Sequence, residues 1–210
     1  MTDMSVAPAP GRREQRKQDR RCAILAAARR SFLEEGYAAT SMSGLLKTLG
    51  GSKTTIWSYF RSKEELFAAV VEDATRTFRE EVKAELSLTG DLEDALSGFC
   101  RSLMTKVVAP EALATWRLVV AESARFPEVG KIFYALAAHP TQATLSKFIA
   151  YHIRAARLRD EGAERMANML INMCSGLQNR CLWGVSVPQP EEIKADASAF
   201  AKYFLLTFST

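Results

Sequence analysis

Apolar side chains recur at intervals of three and four residues along almost the whole chain, which is the spacing of one face of an α-helix. The pattern begins near residue 19 and continues to residue 208, and no segment shows the strict alternation of a half-buried strand. Glycine and proline interrupt it at intervals, for example at His139-Pro140, where a helix is predicted to end. The sequence therefore predicts an all-α fold with about nine helices.

The N-terminal part of the pattern consists of one medium and two short helical segments. A helix is predicted over residues 19–35, a second begins at the candidate N-caps Thr40 and Ser41, and a third covers residues 53–60. Two short helices joined by a glycine turn are typical of a helix-turn-helix. The preceding helix supplies the apolar surface that such a pair needs, so residues 17–65 are predicted to form one domain.

Longer helices follow in the rest of the chain. Ser62 and Glu65 form a capping-box pattern that opens the first of them, and Asp91 offers the N-cap of the next. Residues 66–210 are therefore predicted to form a larger helical domain. Residues 1–16 contain Pro, Ala and Arg without an apolar repeat, and they are predicted to form a disordered basic arm.

Composition and charge narrow the interpretation. The 210 residues are 48% hydrophobic and 25% charged, as in a globular protein with a substantial core. Residues 1–65 carry 12 Lys and Arg against 7 Asp and Glu, whereas residues 66–210 carry 16 against 17. A basic run is usually a solvated face or a tail, and at one end of an otherwise neutral chain it also suits a polyanion-binding domain.

Several classes of protein are disfavoured by what the sequence lacks. No apolar run approaches the ~18–20 residues of a membrane span, and the first ten residues lack the apolar block of a secretory signal. Four Cys without a CxxC pair indicate reduced thiols in a cytoplasmic protein, and two His that are distant from Cys predict no metal site and no cofactor. Without a phosphate loop, a nucleophile elbow or a Glu-x-x-His pattern, a helical enzyme is disfavoured.

The segment 52–60, SKTTIWSYF, is polar on most of its predicted helical surface, with Ile56 and Phe60 on the inner side. Its short hydroxyl side chains and single Lys leave a helix slim enough to enter a DNA major groove, about 12 Å wide, and offer hydrogen bonds to base edges. The same pattern fits a polar surface helix that packs its apolar residues against its neighbours. DNA binding is the favoured interpretation of the two.

The segment 40–66, TSMSGLLKTLGGSKTTIWSYFRSKEEL, resembles the DNA-binding domain of the TetR family of bacterial repressors. The match is strongest from SK to YF and through SKEEL, and the preceding segment 26–41 is similar to the family's first helix. Trp57 departs from the Tyr that is usual there. The resemblance implies a regulator that binds a palindromic DNA operator as a homodimer and responds to a small-molecule effector, although residues 66–210 match only in helix number and length.

The resemblance also implies which side chains meet DNA. Hydroxyls at the start of the second helix would contact phosphates, together with a Tyr and a Lys that follow the recognition segment. These expected phosphate contacts are Thr40, Ser41, Ser43, Tyr59 and Lys63. Ser52, the expected N-cap of the third helix, is also an expected DNA-binding residue. The residues that would face the major groove are Lys53, Thr54, Thr55, Trp57 and Ser58.

The larger C-terminal domain is implied to hold the dimer interface and the effector. The last two helices would pack against their mates through the stripes Met169, Met173, Leu177 and Cys181 on one helix and Phe200, Phe204 and Phe208 on the other. Such stripes also fit an ordinary core. An apolar or aromatic effector is expected, and it would release the operator through a hinge near residues 66–78. Candidate pocket residues, each of which also fits plain core, are Phe99, Leu103, Met104, Trp116, Phe133, Met173, Cys174 and Gln178.

A basic helical module that binds nucleic acid without sequence preference is the remaining alternative. It predicts equal affinity for an operator and for scrambled DNA, whereas a repressor discriminates between them. Selection of a bound sequence from random DNA separates the two.

Overall fold

The computed structural model describes residues 11–50 and 54–210 of the chain. Within these ranges an isolated bridge joins Leu158 to Ser209 and no strand occurs, which confirms the all-α prediction. The described helices are α1 (Arg12–Ala39), α2 (Met42–Leu49), α3 (Thr54–Trp57), α4 (Lys63–Glu85), α5 (Leu92–Val108), α6 (Pro110–Glu122), α7 (Pro127–Phe133), α8 (His139–Arg154), α9 (Ala163–Leu182) and α10 (Pro190–Phe208). A π-helical segment, Tyr134–Ala138, lies between α7 and α8.

The chain divides into two compact units, Met1–Val70 and Val71–Thr210. The division falls inside α4, a few residues beyond the predicted boundary at residue 65, so this one helix belongs to both units. In the part of the chain that the structure describes, no helix combines the length and the apolar character needed to cross a bilayer.

Helix α1 begins earlier than predicted. The sequence predicts an arm up to residue 16, but residues 12–16 form the first turns of α1, where the amides of Glu14 and Gln15 donate to the Gly11 carbonyl. Arg, Glu, Gln and Lys are good helix formers, so a helix that is already nucleated extends through them. The prediction of disorder is therefore wrong for residues 12–16, and residues 1–10 lie outside the described ranges.

An aromatic cluster forms the centre of the unit Met1–Val70. Phe32 and Tyr37 of α1 stack at a centroid distance of 5.7 Å, and the Phe67 ring of α4 meets them edge-on at 5.2 and 5.4 Å. Gly36 turns the chain just before Tyr37 with a φ of 87°, a conformation that glycine adopts without strain. Edge-to-face ring pairs contribute about 0.5–1.5 kcal/mol each beyond their buried area, so the cluster ties α1 firmly to the start of α4.

The core of the unit Val71–Thr210 lies where α5 packs against α9 and α10, with α8 covering α9. Phe99 and Met104 of α5 and Leu170 of α9 have no exposed surface, and Leu145 and Ile149 of α8 are equally buried. Burying a side chain of this size stabilises the fold by about 1.5–3 kcal/mol. This layer therefore supplies the stability of the larger unit.

Two predicted N-caps are present at the starts of their helices. Ser41 accepts a hydrogen bond from the Gly44 amide at 3.0 Å at the start of α2, and Asp91 accepts one from the Asp94 amide at 3.0 Å at the start of α5. Both caps are confirmed, since a cap depends on residues only three positions apart in the sequence.

The predicted helix end at His139-Pro140 is wrong. The chain stays helical, and α7 continues through the π segment into α8, with His139 at φ −60° and ψ −42°. In an α-helix the carbonyl of Leu136 would pair with the amide of residue 140, but a proline has no N–H to donate. The Thr75 hydroxyl of α4 lies 3.3 Å from the Leu136 carbonyl oxygen and can donate in its place.

Candidate nucleic-acid interface

Helix α2 begins with two exposed hydroxyls at positions expected to contact phosphate. Ser41 accepts the Gly44 amide as the N-cap, and Ser43 lies exposed in the first turn. Because the Ser41 oxygen acts as an acceptor within α2, its own proton can donate to a phosphate. The N-terminal amides of a helix also attract phosphate, so capping and DNA binding are compatible at this end.

Thr40 is placed differently from the expectation. Its side chain is only 1% exposed, its hydroxyl donates to the Gly36 carbonyl at 2.9 Å, and it lies 3.0 Å from the Ser31 hydroxyl. The Thr40 amide also donates to the Gly36 carbonyl, at 3.3 Å. The predicted phosphate contact of Thr40 is therefore wrong: the residue closes the turn between α1 and α2, and its polar groups are used inside the protein.

The recognition segment is partly described. Helix α3 covers Thr54–Trp57 and a turn follows it, so the described helix ends earlier than the predicted one. Ile56 is 1% exposed and Phe60 is 2% exposed, which confirms that both face inward. Ser52 and Lys53 lie outside the described residues, as do the side chains of Thr54 and Thr55.

The outer side of this segment is accessible. Trp57 is 49% exposed, Ser58 is exposed and Tyr59 is half-buried. A large aromatic ring that stays half in water beside a buried Ile56 is available to a partner surface, either through its indole N–H or through its ring. The arrangement leaves these three side chains on the accessible side and fixes the segment through its apolar side.

Lys63, at the first turn of α4, also has a role inside the protein. Its ammonium donates to the Tyr37 carbonyl at 2.9 Å and lies 4.3 Å from the centre of the Tyr37 ring. An ammonium group carries three protons, so the hydrogen bond to Tyr37 does not by itself preclude the predicted phosphate contact. Sequence reasoning missed the internal contact, because the two residues are 26 positions apart.

The capping box that opens α4 is formed in a variant arrangement. The Ser62 hydroxyl accepts from the Glu65 amide at 3.1 Å, and the Glu65 carboxylate accepts from the amide of Arg61 at 2.7 Å. The Glu64 carboxylate accepts hydrogen bonds from the Ser62 side chain and from the Glu64 backbone amide, and these lower the pKa of Glu64. Carboxylates at this end also interact favourably with the dipole of α4.

Two cations of the basic run hold the helix-turn-helix together. The Arg20 guanidinium donates to the Gly50 carbonyl at 2.6 Å, and the Arg21 guanidinium lies 5.5 Å from the centre of the Phe60 ring. Gly50 has a φ of 62° at the C-terminus of α2, so its carbonyl lies beyond the helical ladder. No sequence signal links Arg20 to this carbonyl, which lies 30 residues further along the chain.

The other cations of the run remain on the surface. The exposed positively charged side chains of the first turns of α1 are Arg12, Arg13, Arg16 and Lys17. They project from a helix, whose charges keep a fixed spacing, and Lys47 adds an exposed charge in the last turn of α2. Such a concentration of positive charge attracts the phosphate backbone of a nucleic acid.

The candidate effector residues fall into separate groups. Phe99, Met104 and Cys174 have no exposed surface, Leu103 is 6% exposed, and all four belong to the core of the larger unit. Contact with the thiol of Cys100, reinforced by burial, raises the pKa of Cys174. A thiol held protonated in this way is inert, so Cys174 acts as packing.

A second group lies between α6 and α7. The rings of Trp116 and Phe133 meet edge-on at a centroid distance of 5.8 Å, and Trp116 is 36% exposed. On α9, Met173 is half-buried and Gln178 is buried. A cleft between α4 and α8 includes none of the eight candidate residues.

The predicted dimer stripes are largely part of the monomer core. The residues Leu177, Cys181, Phe204 and Phe208 are buried within the single chain, and Phe200 packs partly buried against the same core. The alternative reading of these stripes as ordinary core is correct for these residues. Met169 alone among the predicted stripe residues is exposed, at 45%.

A different exposed stripe follows the outer side of α9. Met169, Asn172, Gly176, Asn179 and Trp183 are all exposed and recur at three and four residues, so they share one face of the helix. The exposed face therefore contains Asn172 and Gly176, each of which directly precedes a residue of the predicted stripe, Met173 or Leu177. On α10 the exposed apolar residues are Tyr203, at 55%, and Leu206, at 72%.

Two family models match the chain, and together they cover both units. Residues 24–70 match the model described as "Bacterial regulatory proteins, tetR family", and residues 94–210 match "AefR-like transcriptional repressor, C-terminal domain". The first match contains the helix-turn-helix, and the second covers more than half of the chain.

Individual relatives agree with these models. The chain is 29% identical over 162 residues to the HTH-type transcriptional regulator BetI of Rhizobium meliloti, covering 77% of each chain, and 30% identical over 151 residues to the regulator UidR of Escherichia coli, covering 69% of each. The solved structure titled "Flavonoid-responsive Regulator FrrA" superposes with a TM-score of 0.81 at 29% identity, covering 91% of this chain and 98% of that one. This chain therefore belongs to the TetR family of bacterial transcriptional regulators, and it is a DNA-binding regulator rather than an enzyme.

Proposed function

We propose that this regulator represses transcription in the bacterial cytoplasm by binding a palindromic operator as a homodimer, and that a small apolar or aromatic effector releases it. The observation that carries the proposal is the accessible side of the recognition segment. Trp57 and Ser58 are exposed on a segment whose Ile56 and Phe60 are buried, so the fold fixes the segment and leaves its polar side for a partner.

The DNA contacts divide into positioning and reading groups. Ser41, Ser43, Tyr59 and Lys63 supply donors for phosphates, which orient the domain without carrying sequence information. Base reading belongs to the third helix and its neighbours. The residues proposed for it are Lys53, Thr54, Thr55, Trp57 and Ser58, with Ser52 as the N-cap that precedes them.

Dimerisation is supported by the exposed stripe on α9. Gly176 lies at its centre, and a Cβ added there would meet no atom within 4 Å. A glycine at the middle of an exposed helical face allows a second helix to approach closely, and Met169 and Trp183 supply apolar area at its two ends. A palindromic operator requires that the dimer hold its two recognition helices about one DNA turn apart, roughly 34–36 Å.

Repression and an aromatic effector are supported by the relatives. The family model that matches residues 94–210 is described as the C-terminal domain of a transcriptional repressor, and FrrA is named as flavonoid-responsive. The Trp116–Phe133 pair offers an aromatic surface that is accessible at Trp116, next to the π segment. Aromatic rings of a ligand stack or pack edge-on against such a pair.

Selection of bound sequences from random duplex DNA with the full chain tests the proposal. A repressor enriches one palindrome and binds it about 10³-fold or more tightly than scrambled DNA at physiological salt. No enrichment, with equal affinity for all duplexes, would establish the non-specific nucleic-acid-binding alternative instead.

A further inference from the structure

A cleft of about 250 Å³ lies between the second half of α4 and the start of α8, within the unit Val71–Thr210. Its α4 wall carries Arg76, Arg79 and Lys83, which are three and four residues apart and therefore share one face of the helix. Its α8 wall carries Thr141 and Thr144, which are likewise three residues apart. Two rigid helices thus present cations from one side and hydroxyl-bearing side chains from the other.

The cations of the cleft are available to a ligand. Arg76 pairs with Asp73 at 3.4 Å and Arg79 with Glu72 at 4.0 Å; the Arg76 and Glu72 side chains are mostly exposed, whereas those of Asp73 and Arg79 are 37% and 25% exposed. Ion pairs that reach the solvent are worth about 0–1 kcal/mol, so a ligand anion competes with Glu72 for the long contact to Arg79. Lys83 is exposed and forms no ion pair with the described residues. Glu80 is the acidic side chain of the lining, which leaves the cleft with an excess of positive charge.

The lining is partly apolar and the cleft is small. Pro140 is half-buried and belongs to the lining, together with Val82, of which only 1% is exposed. The hydroxyls of Thr141 and Thr144 donate to the carbonyls one turn earlier in the helix, at 3.2 and 2.8 Å, so their methyl groups and oxygen lone pairs remain for the cleft. The volume is below the roughly 300–1,000 Å³ of pockets for drug-sized ligands. These features suit a small organic anion with one charged group and an apolar body.

The location of the cleft connects it to the DNA-binding unit through a single helix. Arg76 directly follows Thr75, whose hydroxyl lies 3.3 Å from the Leu136 carbonyl, and Leu136 lies one turn before Pro140. A ligand that bridges α4 and α8 therefore lies next to the contact that joins α4 to the π segment preceding α8. Helix α4 runs unbroken from Lys63 to Glu85 and therefore contributes residues to both units.

We propose that the α4–α8 cleft is a binding site for a small organic carboxylate, held by Arg79 and Lys83 and separate from the residues proposed for the apolar effector. The carboxylate accepts hydrogen bonds from the two cations, and its apolar body packs on Pro140 and the Thr144 side chain. This second site gives the regulator an anionic input besides the aromatic one. The proposal extends the proposed function but does not depend on effector release at Trp116.

Calorimetric titration of the full chain with 2-naphthoate, 2-naphthamide and inorganic phosphate tests the site. We expect saturable 1:1 binding of 2-naphthoate, and binding weaker by about tenfold or more for the uncharged amide and for the double variant Arg79→Ala/Lys83→Ala, since each loses charge-assisted hydrogen bonds. The matched control Lys147→Ala removes an exposed cation of α8 that does not line the cleft, and should bind as the wild type does.

Each other result overturns the proposal. Equal affinity for 2-naphthoate and its amide would show that charge plays no part, and tighter binding of phosphate would assign the cleft to an inorganic anion. The site does not exist if 2-naphthoate fails to bind at millimolar concentration. The same conclusion follows if the double variant has the wild-type melting temperature and still binds 2-naphthoate with unchanged affinity. The operator affinity of the double variant is also measured, in the absence of 2-naphthoate. If the variant keeps its operator affinity and loses 2-naphthoate binding, the cleft is a site distinct from the DNA-binding function.

Discussion

The hydroxyl of Thr75 on α4 lies 3.3 Å from the carbonyl oxygen of Leu136 in the π segment, across 61 residues of sequence. The same hydroxyl lies 3.0 Å from the Val71 carbonyl and 3.3 Å from that of Glu72, in its own helix. With one proton, it donates either within α4 or to the π segment. Since Pro140 cannot donate to Leu136, this hydroxyl links the helix shared by both units to a carbonyl that lacks its α-helical donor.

Thr75→Val keeps the shape of the side chain and removes the donor. We expect a loss of about 1–3 kcal/mol in the free energy of unfolding, because the Leu136 carbonyl is left in a partly buried position without this donor. Urea denaturation followed by circular dichroism measures the change. Thr75→Ser retains the hydroxyl and is the control, and equal midpoints for the Val and Ser variants would show that the Leu136 contact contributes nothing.

The exposed cations of α1 are expected to bind DNA through phosphates. Replacing Arg12, Arg13, Arg16 and Lys17 together by Gln should weaken binding to every duplex and flatten the dependence of log affinity on log salt by about 0.9 per lost contact. Fluorescence anisotropy at several salt concentrations measures both effects, and an unchanged salt slope would make these charges a solubilising surface only.

The matched control for this set is Arg20→Gln. Its guanidinium donates to the Gly50 carbonyl at 2.6 Å, so its loss acts first on the fold of the helix-turn-helix. We expect a lower melting temperature for Arg20→Gln and an unchanged one for the fourfold variant, since the four side chains are exposed on α1. Comparison of the fourfold variant with Arg20→Gln thereby distinguishes the cations of the basic run that bind DNA from the one that stabilises the fold.

Local features of the fold could be predicted from the sequence, whereas contacts between distant residues could not. The caps at Ser41 and Asp91 are encoded within three residues, and the inward positions of Ile56 and Phe60 follow from helical spacing. The burial of Thr40 has no such local signal. The sequence shows only that Thr40 and Ser41 precede α2, and it does not show that the Thr40 hydroxyl lies against the Ser31 side chain instead of DNA.

The α9 stripe shows a second limit of sequence reasoning. The family resemblance implies an interface at Leu177 and Cys181, while their apolar spacing also fits a core, and both residues are buried within the chain. The exposed stripe is polar at Asn172 and Asn179 and has a glycine between them, so a hydrophobicity pattern passes over it. Only the packing of α9 against α5 and α8 reveals which face is left outside.

A bulky side chain at Gly176 is expected to break the dimer without unfolding the chain. Added atoms meet nothing within 4 Å in the single chain, and replacing a helical glycine by alanine stabilises a helix by roughly 0.5–1 kcal/mol. Gly176→Arg should therefore yield a folded monomer, and Gly176→Ala a dimer, in sedimentation experiments. A dimeric Gly176→Arg would place the interface elsewhere, with Leu206→Glu on α10 as the next variant.

His152 is expected to make stability depend on pH. The side chain is 1% exposed, and neither ring nitrogen has a hydrogen-bond partner among the described residues. Burial, reinforced by the positive charge of Arg157, lowers the pKa of His152 from its usual 6.5. Above pH 6.5 the ring is neutral in both states and has no effect. Below it the unfolded chain takes up the proton first, so the free energy of unfolding falls by up to about 1.4 kcal/mol per pH unit until the folded pKa is reached.

Urea titrations between pH 5 and 8 measure this slope, and His152→Leu should reduce it because the titrating group is gone. The exposed His139 is the matched control, and His139→Gln should keep the wild-type slope. A slope that is the same in all three proteins would assign the pH dependence to other groups.

The response to an aromatic effector is expected to depend on Phe133. Its ring meets Trp116 edge-on at 5.8 Å and directly precedes the π segment, whose Leu136 carbonyl lies at the Thr75 hydroxyl. A ligand that packs against Trp116 and Phe133 therefore contacts a residue only three positions before Leu136, the partner of Thr75. Naringenin, a flavonoid, is the probe, since FrrA is named as flavonoid-responsive. We expect naringenin to quench Trp116 fluorescence in a Trp57→Phe/Trp183→Phe background and to release the operator from the wild type.

Phe133→Ala should lose both responses and keep operator affinity, because it leaves the recognition segment untouched. Tyr134→Ala removes the neighbouring ring, which is 55% exposed and contacts His139 instead of Trp116, and it should respond as the wild type does. Coupling between effector and operator is reciprocal and typically amounts to about 1–3 kcal/mol, so operator DNA should weaken naringenin binding by the same factor by which naringenin weakens operator binding. If naringenin binds and operator affinity stays constant, the derepression model fails, and the larger unit serves to hold the dimer together.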